Sequence, residues 1–162
     1  MSVTKTTADA AIHKFFEQAA KIIYDRIQYN LSYLGEVCVK KIRDRSGIES
    51  WYDQSGNLRS SIGYAIYSEG RAIIKSQFST VLNGLSGSEK GRQMVEDLAS
   101  KYSDTYALVV LAAMEYAEFV EAMESKDVLA STEIFAKAEV KRYLDKALKE
   151  AEEEIQHIAD TL

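Results

Sequence analysis

The two histidines are the first residues to test for chemistry. His13 and His157 lie near opposite ends of the chain, each with a carboxylate four residues away, Glu17 and Glu153. On a helix that spacing brings imidazole and carboxylate to one face. Two such half-sites could meet between helices and hold a metal, but no third or fourth ligand is indicated. Solvated helix-surface histidines are therefore expected, and no metal. Glu115, Glu118 and Glu121 are three apart and form an acidic stripe. Such a stripe could take a hard cation, but a solvated face is the simpler expectation. Gly84-Leu85-Ser86-Gly87-Ser88-Glu89-Lys90-Gly91 has the look of a phosphate loop. Its chemistry fails, because Glu89 replaces the glycine before Lys90 and Gly91 stands where a hydroxyl would hold magnesium. No serine sits in a nucleophile-elbow pattern. Cys38, the single cysteine, falls in a helical pattern and reads as a small half-buried apolar residue. The expectation is a protein without enzymatic activity or cofactor.

Composition narrows the classes further. A chain of 162 residues suits one domain. At that size ~70% of the extended-chain surface is buried, so no disulfide staple is needed. Net charge is −5, from 25 acidic and 20 basic residues, which argues against nucleic acid as the main partner. No apolar run is long enough to span a membrane. Met1-Ser2-Val3-Thr4-Lys5-Thr6-Thr7 lacks the apolar core of a signal peptide, so a protein made in the cytosol is expected. Proline is absent, and no repeat or low-complexity block appears.

The elements that must position these residues are organised around Trp51–Tyr64, where helical spacing gives way to β-like runs. The organisation expected is a long helix over 8–45, a sheet with a middle helix over 50–130, and a C-terminal helix over 131–160. In the first helix Ile12, Phe15, Phe16, Ala19, Ile22, Ile23, Ile27, Leu31, Leu34 and Cys38 keep the three/four spacing. Thr6, Thr7 or Asp9 could cap it. Lys40, Lys41, Arg43 and Arg45 crowd its far end, where the helix dipole favours cations. Some 35 residues would reach about 50 Å, against a radius of gyration of ~15 Å. The helix is thus either broken near Asn30, Ser32 or Gly35, or it overhangs and needs another chain to cover its stripe. Asp53-Gln54-Ser55-Gly56-Asn57 reads as a turn, with Gly56 at positive φ and Asn57 tolerant of it.

Ile62–Ser68 is expected as a half-buried strand, Ser68-Glu69-Gly70 as a hairpin connection, and Ala72–Phe78 as the returning strand. A loop then leads to a helix from Glu89 to Tyr102, capped by Ser88. Tyr106–Ala112 is nearly all apolar and reads as the sheet's centre. Met114–Ala122 reads as a short helix, and Lys126–Leu129 as an edge strand. In the last helix Leu144, Leu148, Ala151, Ile155 and Ile158 form a seam. Glu150, Glu152, Glu153 and Glu154 form an acidic patch that could meet the Lys40–Arg45 cluster of a neighbouring subunit.

Two segments carry a resemblance. Ser55-Gly56-Asn57-Leu58-Arg59-Ser60-Ser61-Ile62 resembles the "Thr-Gly-Asn-Leu-Arg-x-Ser-Ile" signature of tail-completion proteins, the small head–tail joining (neck) proteins of long-tailed phages and prophages. Met114-Glu115-Tyr116-Ala117-Glu118-Phe119-Val120-Glu121 is similar to that family's "Met-x-Tyr-Ala-x-x-Val-Glu" segment. The likeness spans residues 50 to 150. Ser55 stands for the usual Thr, and Ala113 and Ala122 stand where glycines are common.

The resemblance implies an α+β fold. With the segments above, that is a small antiparallel sheet of three to four strands packed by a long N-terminal helix, a middle helix and a long C-terminal helix. It implies no catalysis and a structural role in the virion, commonly as a homo-oligomeric ring around the DNA channel that contacts other neck or tail proteins. An acidic channel surface would let DNA slide without sticking. The residues carried over are Gly56, Asn57, Leu58, Arg59, Tyr116, Glu118 and Glu121. Gly56 and Asn57 are expected to set the turn and Leu58 to dock it. Arg59 is expected to pair with Glu118 or Glu121, with Tyr116 packed between. The alternative is a small acidic regulatory or protein-binding module that grips a basic partner through its last helix.

Overall fold

The computed structural model describes residues 3–45, 51–122 and 127–161. The chain divides into two compact units, one of residues up to Asn30 together with those from Arg142 on, the other Leu31–Lys141.

The first unit is a pair of antiparallel helical segments. One belongs to α1 (Val3–Arg43), the other to α5 (Ala130–Ala159). α1 is a single helix, with no break at Asn30, Ser32 or Gly35, and it starts ahead of Thr6, Thr7 and Asp9. Two contacts fix the register. Arg26 Nη2 meets Glu154 Oε2 at 2.6 Å, and Asn30 Nδ2 donates to Glu150 Oε2 at 3.0 Å. Asn30 is only 1% exposed, and its amide also reaches the Arg26 carbonyl. A buried polar residue of this kind penalises any shifted pairing. The α5 seam is Tyr143, Ala147 and Ala151, all buried, while Leu148 is 51% exposed. Of the expected seam, Ala151 is buried and Leu144, Ile155 and Ile158 are half-buried, while Leu148 gives way to its neighbour Ala147. Alanine at the contact lets two helix backbones approach, which leucine would prevent. In this register Ala159, the last residue of α5, lies opposite Lys21. N-terminal to that point Ile12 and Phe16 are exposed, and Phe15 meets Phe16 edge-on.

The second unit is α+β. In order it holds the end of α1, then α2 (Asn57–Ser60), β1 (Ile62–Ser68), β2 (Arg71–Lys75) and α3 (Leu85–Leu98). A 3-10 turn (Ala99–Tyr102), β3 (Ala107–Ala112), α4 (Ala117–Ala122) and the start of α5 follow. The antiparallel sheet has the order β2-β1-β3. The central strand is thus β1, buried on both faces, and the apolar Ala107–Ala112 lies at an edge. An uninterrupted apolar run signals burial but cannot say which neighbour supplies it.

The β1–β2 hairpin turns through Glu69 (φ 52°) and Gly70 (φ 72°), the left-handed pair a tight two-residue turn needs. β2 stops at Lys75, short of Phe78, which leaves the strand at φ 50° and enters the core. There it joins Ala65, Tyr67, Val95, Leu111 and Ala113. Tyr67 donates its hydroxyl to the Val95 carbonyl at 2.9 Å and stacks on Tyr102. α3 begins at Leu85, four residues before the expected Glu89, so Gly87 and Ser88 are helical. Of the expected edge strand, Lys126 lies outside the described residues and Asp127–Leu129 are not a strand. Asp127 instead caps α5, its Oδ1 accepting the Ser131 N–H at 3.1 Å.

Candidate functional site

The first signature segment folds into a knot around α2. Asp53 starts it. Its Oδ1 accepts the Gly56 N–H at 2.9 Å and its Oδ2 the Arg59 N–H at 2.8 Å. One carboxylate thereby satisfies two amides at a helix start, where no intrahelical partner exists. Gly56 takes φ 79°, as expected, and a Cβ there would lie 1.9 Å from the Val81 carbonyl oxygen. Asn57 does not share the left-handed turn; it is the first residue of α2. Its side chain reaches outward instead, and Oδ1 accepts the Gly87 N–H of α3 at 3.1 Å. Leu58 is buried, as expected. Ser60 Oγ accepts the Val81 N–H at 2.8 Å, and Ser61 Oγ donates to the Leu58 carbonyl.

The phosphate-loop look of residues 84–91 has a packing explanation. A Cβ on Gly87 would lie 1.9 Å from the Asn57 carbonyl oxygen, and one on Gly84 would lie 2.3 Å from that of Gly56. A Cβ on Gly91 would strike the Phe78 ring. The glycines form the side of α3 against which α2 and Phe78 rest. Ser88 does not cap this helix; its hydroxyl bonds Thr80 Oγ1 at 2.9 Å within the same contact.

Arg59 does not pair with Glu118 or Glu121. Its Nη2 donates to the Arg45 carbonyl at 3.0 Å, and its guanidinium lies 5.1 Å from the Trp51 ring centre. Its buried Nε has no partner. Arg45 carries the connection onward. It bridges Asp127 at 2.9 Å and donates to Ser131 Oγ and Thr132 Oγ1, both at 2.6 Å. Burial pushes the Asp127 carboxyl up, but hydrogen bonds from Ser131 and the Arg45 charge outweigh it and hold the group below its ordinary value. Glu121 caps the same helix, its Oε1 accepting the Leu129 and Ala130 N–H groups at 3.0 and 2.6 Å.

The second signature segment meets the first at Tyr116. Tyr116 is 39% exposed; partial loss of water and the nearby Asp53 charge raise its pKa, while the neighbouring Ser55 lowers it. The acidic stripe is divided. Glu115 pairs with Lys90 at 2.9 Å, Glu118 is exposed, and Glu121 faces the start of α5. Among the described residues no three His, Cys, Asp or Glu side chains gather as metal ligands. His13 and His157 are both exposed and are not brought together. Arg43 donates to the Ser79 carbonyl at 2.7 Å, so it and Arg45 already have partners in their own chain. Three of the four acidic-patch residues have partners in the same chain, Glu154 with Arg26, Glu150 with Asn30 and Glu153 with Lys149, while Glu152 is exposed.

Three contributors escaped the sequence reading: Asp53, Arg45 and the glycine side of α3. The Asp-x-x-Gly spacing ahead of the signature could have exposed the first. The second unit also has a cleft of about 280 Å³ lined by Glu36, Val39, Arg43, Ile62, Ser76 and Phe78, which no motif announced. Compared with protein families, curated proteins and solved structures, the chain matches none.

Proposed function

We propose that the chain is a non-enzymatic structural subunit of a phage or prophage head–tail connector, acting in tail completion and neck assembly. Its partners are further copies of itself, in a ring, and other neck or tail proteins. The observation that carries this reading is the Ala113 N–H bond to the Ser61 carbonyl at 3.3 Å, next to the Ile62–Ala112 pair, which sets the end of the first signature segment beside the start of the second. Nearby, the side chains of Asp53, Asn57 and Ser60 are all taken up by main-chain amides, those of Gly56 and Arg59, of Gly87 and of Val81, as suits a rigid scaffold. Ile12, Phe16 and Tyr24 add exposed apolar surface along α1 for neighbours to cover.

The test is deletion of the gene from an inducible lysogen. Filled heads and finished tails that accumulate unjoined in electron micrographs, and rejoin when the gene is supplied in trans, are the expected outcome. Normal virions from the deletion strain would refute the reading. Recovery of a stable small complex with a basic regulatory protein would favour the acidic binding module instead.

A further inference from the structure

The two edges of the sheet are built differently. β2 is interrupted by a register irregularity opposite Ile66 and Tyr67 and carries Arg71 and Lys75. Bulges and charges of this kind blunt an edge against further pairing. β3 has neither device. Its six residues, Ala107-Leu108-Val109-Val110-Leu111-Ala112, are all uncharged, and its pairing with β1 is regular.

The ladder shows which β3 groups are free. Ala113 N–H donates to the Ser61 carbonyl, so the alternation of an antiparallel pair turns the main-chain groups of Leu111, Val109 and Ala107 toward β1. Those of Leu108, Val110 and Ala112 point to the outer edge. Among the described residues no hydrogen bond to these outward groups is found.

We propose that this edge pairs with β3 of a second copy, antiparallel, across a two-fold axis at Val110. In that register Val110 faces Val110 of the other copy, and Leu108 faces its Ala112. Every outward N–H then meets an outward carbonyl, forming six hydrogen bonds from the three residues of each copy. A two-fold axis normal to the sheet keeps each face of β3 on its own side. The face carrying Val109 and Leu111, which packs on the core, therefore continues into the same face of the other copy. No side chain in the contact is charged, so nothing repels across the axis. This contact rests on the sheet alone and is independent of the connector reading. It is isologous and closes on itself, so a ring would need another surface.

The test is Val110→Pro, followed by light scattering during size exclusion. The Val110 N–H does not bond β1, so proline at this edge position leaves the internal ladder intact. It removes the central donor of each copy. The expected result is a wild-type dimer and a monomeric variant with the same circular dichroism spectrum. Val110→Lys, which sets like charges across the axis, is expected to raise the dimer dissociation constant at least tenfold at low salt. A wild-type chain that stays monomeric at about 100 µM would overturn the proposal. So would a dimer that both variants leave unchanged, which would place the contact elsewhere, for example along α1.

Discussion

The side chain of Asn57 accepts the main-chain N–H of Gly87, and the Asn57 carbonyl occupies the space where a Gly87 side chain would be. The same residue thus satisfies one of the unpaired amides at the start of α3 and forbids any bulk there. Gly87→Ala must push backbone against backbone, and is expected to cost at least ~2 kcal/mol. Asn57→Ala leaves a buried amide without a partner and should cost about 1–2 kcal/mol. Asn57→Asp keeps the acceptor and is expected to cost less than Asn57→Ala. Urea unfolding of the three variants gives the order directly.

Asp53 divides its two oxygens between the Gly56 and Arg59 amides. Asp53→Ala loses both bonds and is expected to destabilise by about 2 kcal/mol, the upper range for a helix cap. Asp53→Asn keeps one acceptor and should fall between. Equal melting temperatures for wild type and Asp53→Ala would show that the cap contributes nothing.

Arg45 uses its fork on Asp127, Ser131 and Thr132, while its own carbonyl receives Arg59. Arg45→Lys keeps the charge but not the geometry, and should destabilise by about 1–3 kcal/mol. The pH dependence follows from Asp127, whose folded pKa lies below its ordinary 3.8. The unfolded chain takes up that proton first as pH falls. The contribution is therefore full above about pH 4 and is lost as pH drops through the lower folded value. Asp127→Asn should flatten the acid limb of the stability curve.

Tyr67 gives the opposite limb. Burial, with Tyr102 and Glu96 nearby, pushes its hydroxyl up to about 12 from 10.0. Between those values the unfolded chain has lost the proton and the folded chain holds it. Stability is then full below pH 10 and falls by up to ~1.4 kcal/mol per pH unit above it. Tyr67→Phe removes this dependence, which alkaline unfolding followed by tyrosinate absorbance will show. A variant with an unchanged alkaline slope would assign that limb to other groups.

The legible parts of this chain were those that spacing alone decides. Ile62–Ser68 stood out as a strand, although both of its faces are buried and not one as the alternation implied, and the Glu69-Gly70 turn stood out by the need for positive φ. The long helices declared themselves by their three/four stripes. Which strand lies in the middle was not legible, because β1 and β3 are both apolar and sheet order is set by chain path. The start of α3 was misplaced because Gly84 and Gly87 weaken a helix locally, and only α2 packed against them makes its first turn form. The Arg59 pairing failed for a similar reason. Opposite charges suggested Glu118 and Glu121, but a main-chain carbonyl and an indole ring, invisible to charge reasoning, took the guanidinium.

The helical unit joins residues up to Asn30 to residues from Arg142 on. During synthesis Asn30 must therefore wait for Glu150, which arrives on the order of ten seconds later at ribosomal speed. Throughout that interval the greasy side of the early helix has no mate within its own molecule. Nascent chains crowded on one messenger could find each other, or a chaperone, before the late segment emerges.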